Sequence, residues 1–358
     1  MQKTDSRIRV LVVDDSTFVR RSIIRIFENH PRIQVVDVAS DGEMALERVK
    51  ALRPDVVTMD VMMPRMDGLA ALERIMQECP TPTIMLSSVT GRGGERTFRA
   101  LELGAVDFID KSMAGGVMDV SNLAAELVSK ISVAAGIDIS KLRRSSPPPQ
   151  GTSTGALERR DVEIVVIGTS TGGPGALHKV LAPMPANFPA PILIVQHMPP
   201  GFTASLAGRL DRHSALTVKE AEQGETLLPG RAYVAPAGLH LKVARGEHAP
   251  LVAVLDEQPT PTLHRPSVDV LFESAADVCG RGCVACVLTG MGRDGAAGAV
   301  AVKREGGRVL VESESTAIVH GMPKAAAAAV DADAVLRLEG FTDALVGMVA
   351  ETPASSRR

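Results

Sequence analysis

The chain has 358 residues, of which 45% are hydrophobic and 23% charged; this length suggests two domains and this composition excludes wholesale disorder. Aromatics make up only 3%, with no Trp and one Tyr, and the formal net charge is −3. A nucleic-acid reader built on base stacking is therefore disfavoured, and no global basic field attracts polyanions.

The first 136 residues alternate apolar strands with amphipathic stretches. Strands are expected at 8–13, 34–39, 55–59, 83–88 and 105–110, with helices at 16–28, 42–52, 67–78, 94–103 and 119–135. Continuous apolar strands alternating with helices argue for a parallel sheet covered on both faces, here a flavodoxin-like doubly wound fold. Residues 137–160 (IDISKLRRSSPPPQGTSTGALERR) are poor in large apolar residues, and Pro147 to Pro149 forbid a helix, so a flexible linker is expected. From 161 to 350 a second α/β pattern follows. Its strands are expected at 163–168, 191–196, 284–290 and 308–313, with β-rich pieces at 216–219, 231–234, 239–243 and 251–255. This reads as a doubly wound parallel sheet plus a β-hairpin between 231 and 255. Residues 351–358 read as a frayed tail.

Cys79, Cys279, Cys283 and Cys286 are too few and too clustered for a disulfide scaffold, so reduced thiols are expected; the three close ones lack a fourth ligand for zinc. MQKTDSRIRV has no apolar core behind its charges and no apolar run reaches spanning length, so a cytoplasmic chain without membrane insertion is expected.

In an open parallel sheet, chemistry gathers at the carboxyl ends of the strands. Asp14 and Asp15 follow the first strand, Asp60 the third, Ser87 and Ser88 the fourth, and Lys111 the fifth. Three converging carboxylates call for a cation, and hard oxygen ligands select Mg²⁺. A carboxylate beside Mg²⁺ can attack a phosphoryl group, with Lys111 suited to a phosphoryl oxygen. Helix capping by each Asp is the plainer alternative; all of them at successive strand ends make it the weaker one.

VDDS (13–16), MDVMMPRMDG (59–68), LSS (86–88) and DK (110–111) make this half resemble a two-component response-regulator receiver domain. The resemblance implies Asp60 as phospho-acceptor, with Asp14, Asp15, Asp60 and the backbone carbonyl of Met62 around Mg²⁺. It also implies Ser87 and Lys111 as phosphoryl contacts, Phe108 at an aromatic switch position, and a sensor histidine kinase as phosphodonor. Ser112 stands where the family usually has Pro.

In the second half, Gly168 to Gly172 (GTSTG) follow a strand, open a helix and satisfy G-x-S-x-G. The turn alone fits an exposed nucleophilic Ser170 or a phosphate-cradling loop equally. A nucleophile needs a base and an orienting group. His197 ends the next strand on the same rim, whereas His178 is carried away two helical turns on. His30, His213 and His248 sit in polar contexts, and His264 and His320 fit a substrate loop. Asp294, in the Gly-flanked LTGMGRDG (288–295), is the candidate third member; capping the helix that follows is its alternative role. A nucleotide-binding module would need a loop Lys or an acidic ribose partner about 20 residues on, and neither is present.

GTSTGGPGAL, QHMPPGFT, HRPSVDVLF and LTGMGRDG resemble the catalytic domain of the chemotaxis protein-glutamate methylesterase (CheB) family. The resemblance implies Ser170 as nucleophile, His197 as base, Asp294 as its orienting partner, the Met291 N–H as oxyanion donor and Thr171 beside the site. The substrate would be glutamate γ-methyl ester, or glutamine, on methyl-accepting chemoreceptor helices, and no metal is expected in the esterase site. The Pro-bearing linker motivates a further expectation, that the receiver covers the Ser170 rim until Asp60 is phosphorylated. A phosphorylation-driven scaffold and a transcription regulator are the rival classes; the intact Ser, His and Asp, and the lack of a helix-turn-helix pattern or a basic charge, oppose them.

Overall fold

The computed structural model describes residues 7–87, 91–111, 120–143, 161–247, 250–258, 262 and 264–349. They divide between two compact units, Met1–Ser145 and Ser146–Arg358.

In the first unit β1 (Ile8–Val13), α1 (Thr17–Phe27), β2 (Ile33–Ala39), α2 (Gly42–Leu52), β3 (Val56–Asp60), α3 (Gly68–Glu78), β4 (Thr83–Ser87), α4 (Gly91–Glu102), β5 (Asp107–Asp110) and α5 (Val120–Ala134) alternate as the sequence predicts. The five strands form one sheet in the order 2-1-3-4-5, and all pairings are parallel. Every residue of β3 and β4 is buried. That explains their unbroken VVTM and TIML runs, since a strand covered on both faces has no solvent side on which to alternate. Helix starts are set by short polar side chains: Ser16 accepts from the Val19 N–H, Asp41 from Met44 and Asp67 from Ala70. A short helix α6 (Ser140–Arg143) follows, and Ile137 and Leu142 pack against the core of this unit, so the start of the expected linker is ordered. Ser88, Ser112, His248, the rest of the linker and the tail lie outside the described residues.

In the second unit β6 (Ile164–Thr169), α7 (Gly173–Leu181), β7 (Ile192–Gln196), α8 (Thr203–His213), β8 (Thr217–Glu220), β9 (Arg231–Val234), β10 (His240–Arg245), β11 (Leu251–Asp256), α9 (Val268–Cys279), β12 (Cys283–Val287), α10 (Ala296–Arg304), β13 (Arg308–Glu312), α11 (Met322–Ala329), β14 (Ala334–Leu336) and α12 (Phe341–Met348) follow in order. Seven strands form a parallel sheet, 14-13-12-6-7-9-8. The hairpin differs from expectation. It is β10 with β11 alone, a separate antiparallel pair, while β9 joins the main sheet between β7 and β8. β6, β7, β12 and β13 are buried throughout, and the four cysteines are free and buried. Burial pushes the Cys279 thiol up to about 12 and the Cys283 and Cys286 thiols higher still, so these are packing groups rather than thiolates.

In each sheet the strands wind outward in opposite directions from one internal pair. In the first, β1 and β3 flank the reversal; in the second, β6 and β12 do. There neighbouring connections leave on opposite faces and open a crevice at the carboxyl ends, the favoured ligand position of such sheets.

Candidate active site

In the first unit the crevice holds the acid cluster. Carboxylate oxygens of Asp14, Asp15 and Asp60 lie within 4.8 Å of one another. Asp14 and Asp60 are buried and Asp15 is exposed. Lys111 Nζ bridges the two buried acids, 2.7 Å from Asp60 Oδ2 and 3.1 Å from Asp14 Oδ2. Burial pushes the Asp60 carboxyl up despite that lysine. Burial also works against the Lys111 ammonium, but Asp60 and Asp14 outweigh it and hold its pKa above the usual value. Three carboxylates this close, only two of them paired with the lysine, fit a small divalent cation. The Met62 N–H donates to Asp60 Oδ1 at 3.3 Å, which folds that loop back over the acid. Ser87 Oγ is 2.6 Å from Thr97 Oγ1, and either can donate. With Thr97 donating, the Ser87 O–H is left for a phosphoryl oxygen. Phe108 is buried, with Lys130 Nζ 5.5 Å from its ring centroid.

In the second unit the crevice collects residues from four places in the sequence. Gly172, at the N-cap of α7, takes a left-handed φ of 79°, which leaves Ser170 in the turn between β6 and the helix. The Ser170 N–H and the Thr169 hydroxyl both donate to the Thr289 carbonyl, at 3.0 and 2.9 Å. The Thr289 hydroxyl donates back to the Thr171 carbonyl at 2.9 Å. The loop after β12 is thereby stitched to the serine turn. At the next residue, a Cβ on Gly290 would lie 2.8 Å from Ser170 Cβ, so only glycine lets the Met291 backbone approach. Thr171 is buried and Met291 half-buried.

His197 is one residue beyond β7, and its N–H donates to the Thr169 carbonyl at 3.1 Å. Its ring Nε2 is 2.8 Å from Asp294 Oδ2, while the buried Nδ1 has no hydrogen-bond partner. The His264 ring stacks on it, with centroids 4.0 Å apart. Loss of water under the stacked ring and then the neighbouring His197 push His264 down to about 4, so it is neutral at physiological pH.

Asp294 does more than meet His197. It accepts the Val268 N–H at 2.8 Å, the Asp269 N–H at 2.9 Å and the Ser267 hydroxyl at 2.9 Å. Ser267 holds the cap position of α9 without capping it; Asp294, arriving from another loop, supplies the acceptor. Asp269 returns the exchange, accepting the Gly295 and Gly298 N–H groups at the start of α10 at 2.9 and 2.7 Å. Asp294 therefore caps a helix, though α9 and not the α10 that follows it. Burial opposes the Asp294 carboxylate, but His197 and the α9 N–H groups outweigh it and hold the carboxyl well below the usual range. Asp269, with the two α10 N–H groups but no imidazole and with Asp294 beside it, is pushed up to about 6, chiefly by burial.

The other candidates fall elsewhere. His178 faces His213 with ring centroids 5.3 Å apart, and His30 packs edge-on against Phe27. Arg265, within the HRPSVDVLF motif, is exposed, and its carbonyl accepts the Gly238 N–H at 3.1 Å. His320 bridges through its backbone to Gly290 beside the site. Sequence reasoning missed Ser267, Asp269 and Thr289; each sits inside or beside a quoted motif, and its partner is far along the chain.

A carboxylate-rich receiver crevice followed by an α/β crevice with Ser, His and Asp on one rim defines a receiver-linked hydrolase. Residues 165–345 match the CheB methylesterase family and residues 10–119 the response regulator receiver domain. The chain is 46% identical over 349 residues to the protein-glutamate methylesterase/protein-glutamine glutaminase of Geobacillus kaustophilus, covering 96% of this chain and 99% of that one. It is 44% identical over 348 residues to the enzyme of the same name from Bordetella parapertussis, covering 95% and 97%. The crystal structure of the Thermotoga maritima CheB methylesterase catalytic domain matches with a TM-score of 0.51 and 45% identity, over 52% of this chain and 98% of that one. The chain belongs to the CheB methylesterase family and carries a response-regulator receiver domain.

Proposed function

We infer that this chain is a protein-glutamate methylesterase and protein-glutamine glutaminase in which Ser170, His197 and Asp294 form the catalytic triad. The observation that carries the reading is the His197 ring, tied through Nε2 to Asp294 at 2.8 Å and left with a buried, unpartnered Nδ1. Asp294 fixes the tautomer with the proton on Nε2, so Nδ1 is the base. The ring is thus used the opposite way round from the chymotrypsin arrangement.

Nδ1 removes the Ser170 proton as Oγ attacks the γ-carbonyl of a glutamyl methyl ester. The oxyanion is received by the Met291 N–H and the start of α7. The C–O bond to the methoxy group then breaks, Nδ1–H protonates the leaving oxygen, and methanol departs. Water, deprotonated by Nδ1, attacks the acyl-Ser170 ester and releases glutamate with Ser170 restored. Glutamine follows the same steps with ammonia as leaving group. The substrate is a side chain on a chemoreceptor's cytoplasmic helices, and the enzyme works in the cytoplasm; among the described residues no helix is long and apolar enough to cross a membrane.

In the receiver, Asp60 accepts a phosphoryl group from a sensor histidine kinase. Asp14, Asp15, Asp60 and the Met62 carbonyl would hold Mg²⁺, which supplies charge neutralisation for the transferring group. Lys111 steadies a phosphoryl oxygen, and Ser87 offers its O–H to another. Phosphorylation raises esterase activity by shifting the population toward a receptor-accessible arrangement. The test is methanol release from a methylated receptor fragment, with and without an acyl phosphate as phosphodonor. No methanol with either sinks the reading; release without any rise on phosphorylation sinks the coupling alone.

A further inference from the structure

Gln196 is the last residue of β7, and none of the steps above uses its side chain. It is 2% exposed. Its Nε2 lies 3.0 Å from the Ser170 carbonyl oxygen and 2.9 Å from the His197 carbonyl oxygen. One amide group thus donates both its protons, one to the backbone of each of the two residues that exchange a proton in catalysis. The reverse placement would set Oε1 against two carbonyl oxygens, so the network fixes which end of the amide points here.

The surroundings are built to admit this amide. Oε1 is buried without a hydrogen-bond partner, an arrangement that works against folding. A Cβ on Gly173 would lie 1.9 Å from Oε1 and 2.5 Å from Thr169 Oγ1, so the residue that opens α7 must be glycine for Gln196 to fit. The Ser170 carbonyl also accepts the Gly173 N–H at 2.8 Å, which anchors the turn from its helix side while Gln196 anchors it from the strand side. Without the amide, two carbonyl dipoles converge on one buried point with no donor between them.

We propose that Gln196 is a positioning residue that locks the Ser170 turn to His197 and so sets the approach of Oγ to Nδ1. The inference rests on Ser170 and His197 being nucleophile and base.

The test uses the full-length protein, wild type beside Q196M, Q196E and S170A. The measurements are kcat and KM for methanol release, and the rate of sulfonylation by phenylmethylsulfonyl fluoride, which reads the nucleophile without receptor recognition. In Q196M, kcat and the sulfonylation rate fall on the order of 10²-fold while KM stays within about twofold, as expected for misplacement of a reacting pair. In Q196E the carboxylate faces two carbonyls at about pH 9 and activity is lost at least as far; toward about pH 6 its protonated form supplies one O–H, so its kcat relative to wild type rises. A purely structural side chain would lower the melting temperature and leave that ratio flat. Rates within about twofold of wild type in either folded variant, or a Q196E ratio that does not move with pH, overturn the proposal. Should Q196M not fold, Q196E at the lower pH carries the test. Hydrolysis or sulfonylation persisting in S170A removes the triad reading itself; an inert S170A beside unimpaired Gln196 variants removes only this inference.

Discussion

Asp60 ends the buried strand β3 and Asp294 stands in the loop after the buried strand β12, and each of these strands flanks a point where its sheet reverses winding. Their surroundings have opposite electrostatics. Asp60 is buried among like charges with Lys111 as its cation, and its carboxyl is pushed up. Asp294 is surrounded by donors from Ser267, Val268, Asp269 and His197, and its carboxyl is held down. Topology supplies the crevice in both cases; what differs is the set of donors around the carboxylate. A carboxylate short of donors suits a site that gains and loses a charged phosphoryl group. One saturated with donors suits a fixed element of a relay.

The widest separation between the two sites should come from Ser170→Ala, which removes methanol release by at least about 10⁴-fold while phosphorylation of Asp60 proceeds; a mass shift of one phosphoryl group on the variant checks the second half. Asp294→Asn tests the donor-saturated side. It lowers kcat by about 10³–10⁴-fold because the tautomer is no longer enforced, and it lowers the melting temperature because α9 loses its charged cap. A normal melting curve would break the link between cap and orienter. Asp60→Asn tests the other side: the rise in esterase activity with an acyl phosphate, on the order of tenfold in the parent, disappears, and chelating divalent cations removes the same rise from wild type.

A smaller effect is expected at Glu312, buried at the end of β13 with Oε2 accepting the Thr289 N–H at 2.8 Å. Burial pushes its carboxyl up to about 7 from an ordinary 4.5. Below the ordinary value both folded and unfolded chains hold the proton. Between the two values the unfolded chain ionises first, so this group's contribution to stability is lost as pH rises and is fully gone above about 7. Glu312→Gln should therefore gain on wild type across that window, reaching about 1–3 kcal/mol above it, read as the difference in unfolding free energy at a series of pH values. The smallest change is Asp269→Ala, which uncaps α10 and costs about 0.5–2 kcal/mol by denaturant unfolding.

Most strands and helices were legible because their signals are local. Unbroken runs such as VVTM and TIML announce strands buried on both faces, and Ser16, Asp41 and Asp67 announce helix starts. β14 escaped because it is three residues at a sheet edge, one of them the exposed Val335. The sequence does not separate β9 from the hairpin, because pairing partners are not written in a strand's own sequence. The rim residues Ser170, His197 and Asp294 could be picked out from strand ends and glycine-flanked turns. Their supporting contacts could not. Gln196 reaches back 26 residues to Ser170, and Thr289 spans 120 to Thr169. The choice of ring nitrogen on His197 depends on where Asp294 arrives, which is a property of the assembled loops.

The crossed capping of α9 by Asp294 and of α10 by Asp269 closes a ring of hydrogen bonds through two loops distant in sequence. The two helix starts are thereby coupled, and fraying of α9 takes donors away from the carboxylate that meets the His197 ring. Deuterium uptake at the amides of Val268, Asp269, Gly295 and Gly298 should therefore occur as one correlated opening event. The rate of that event sets a limit on how long each molecule stays competent between excursions.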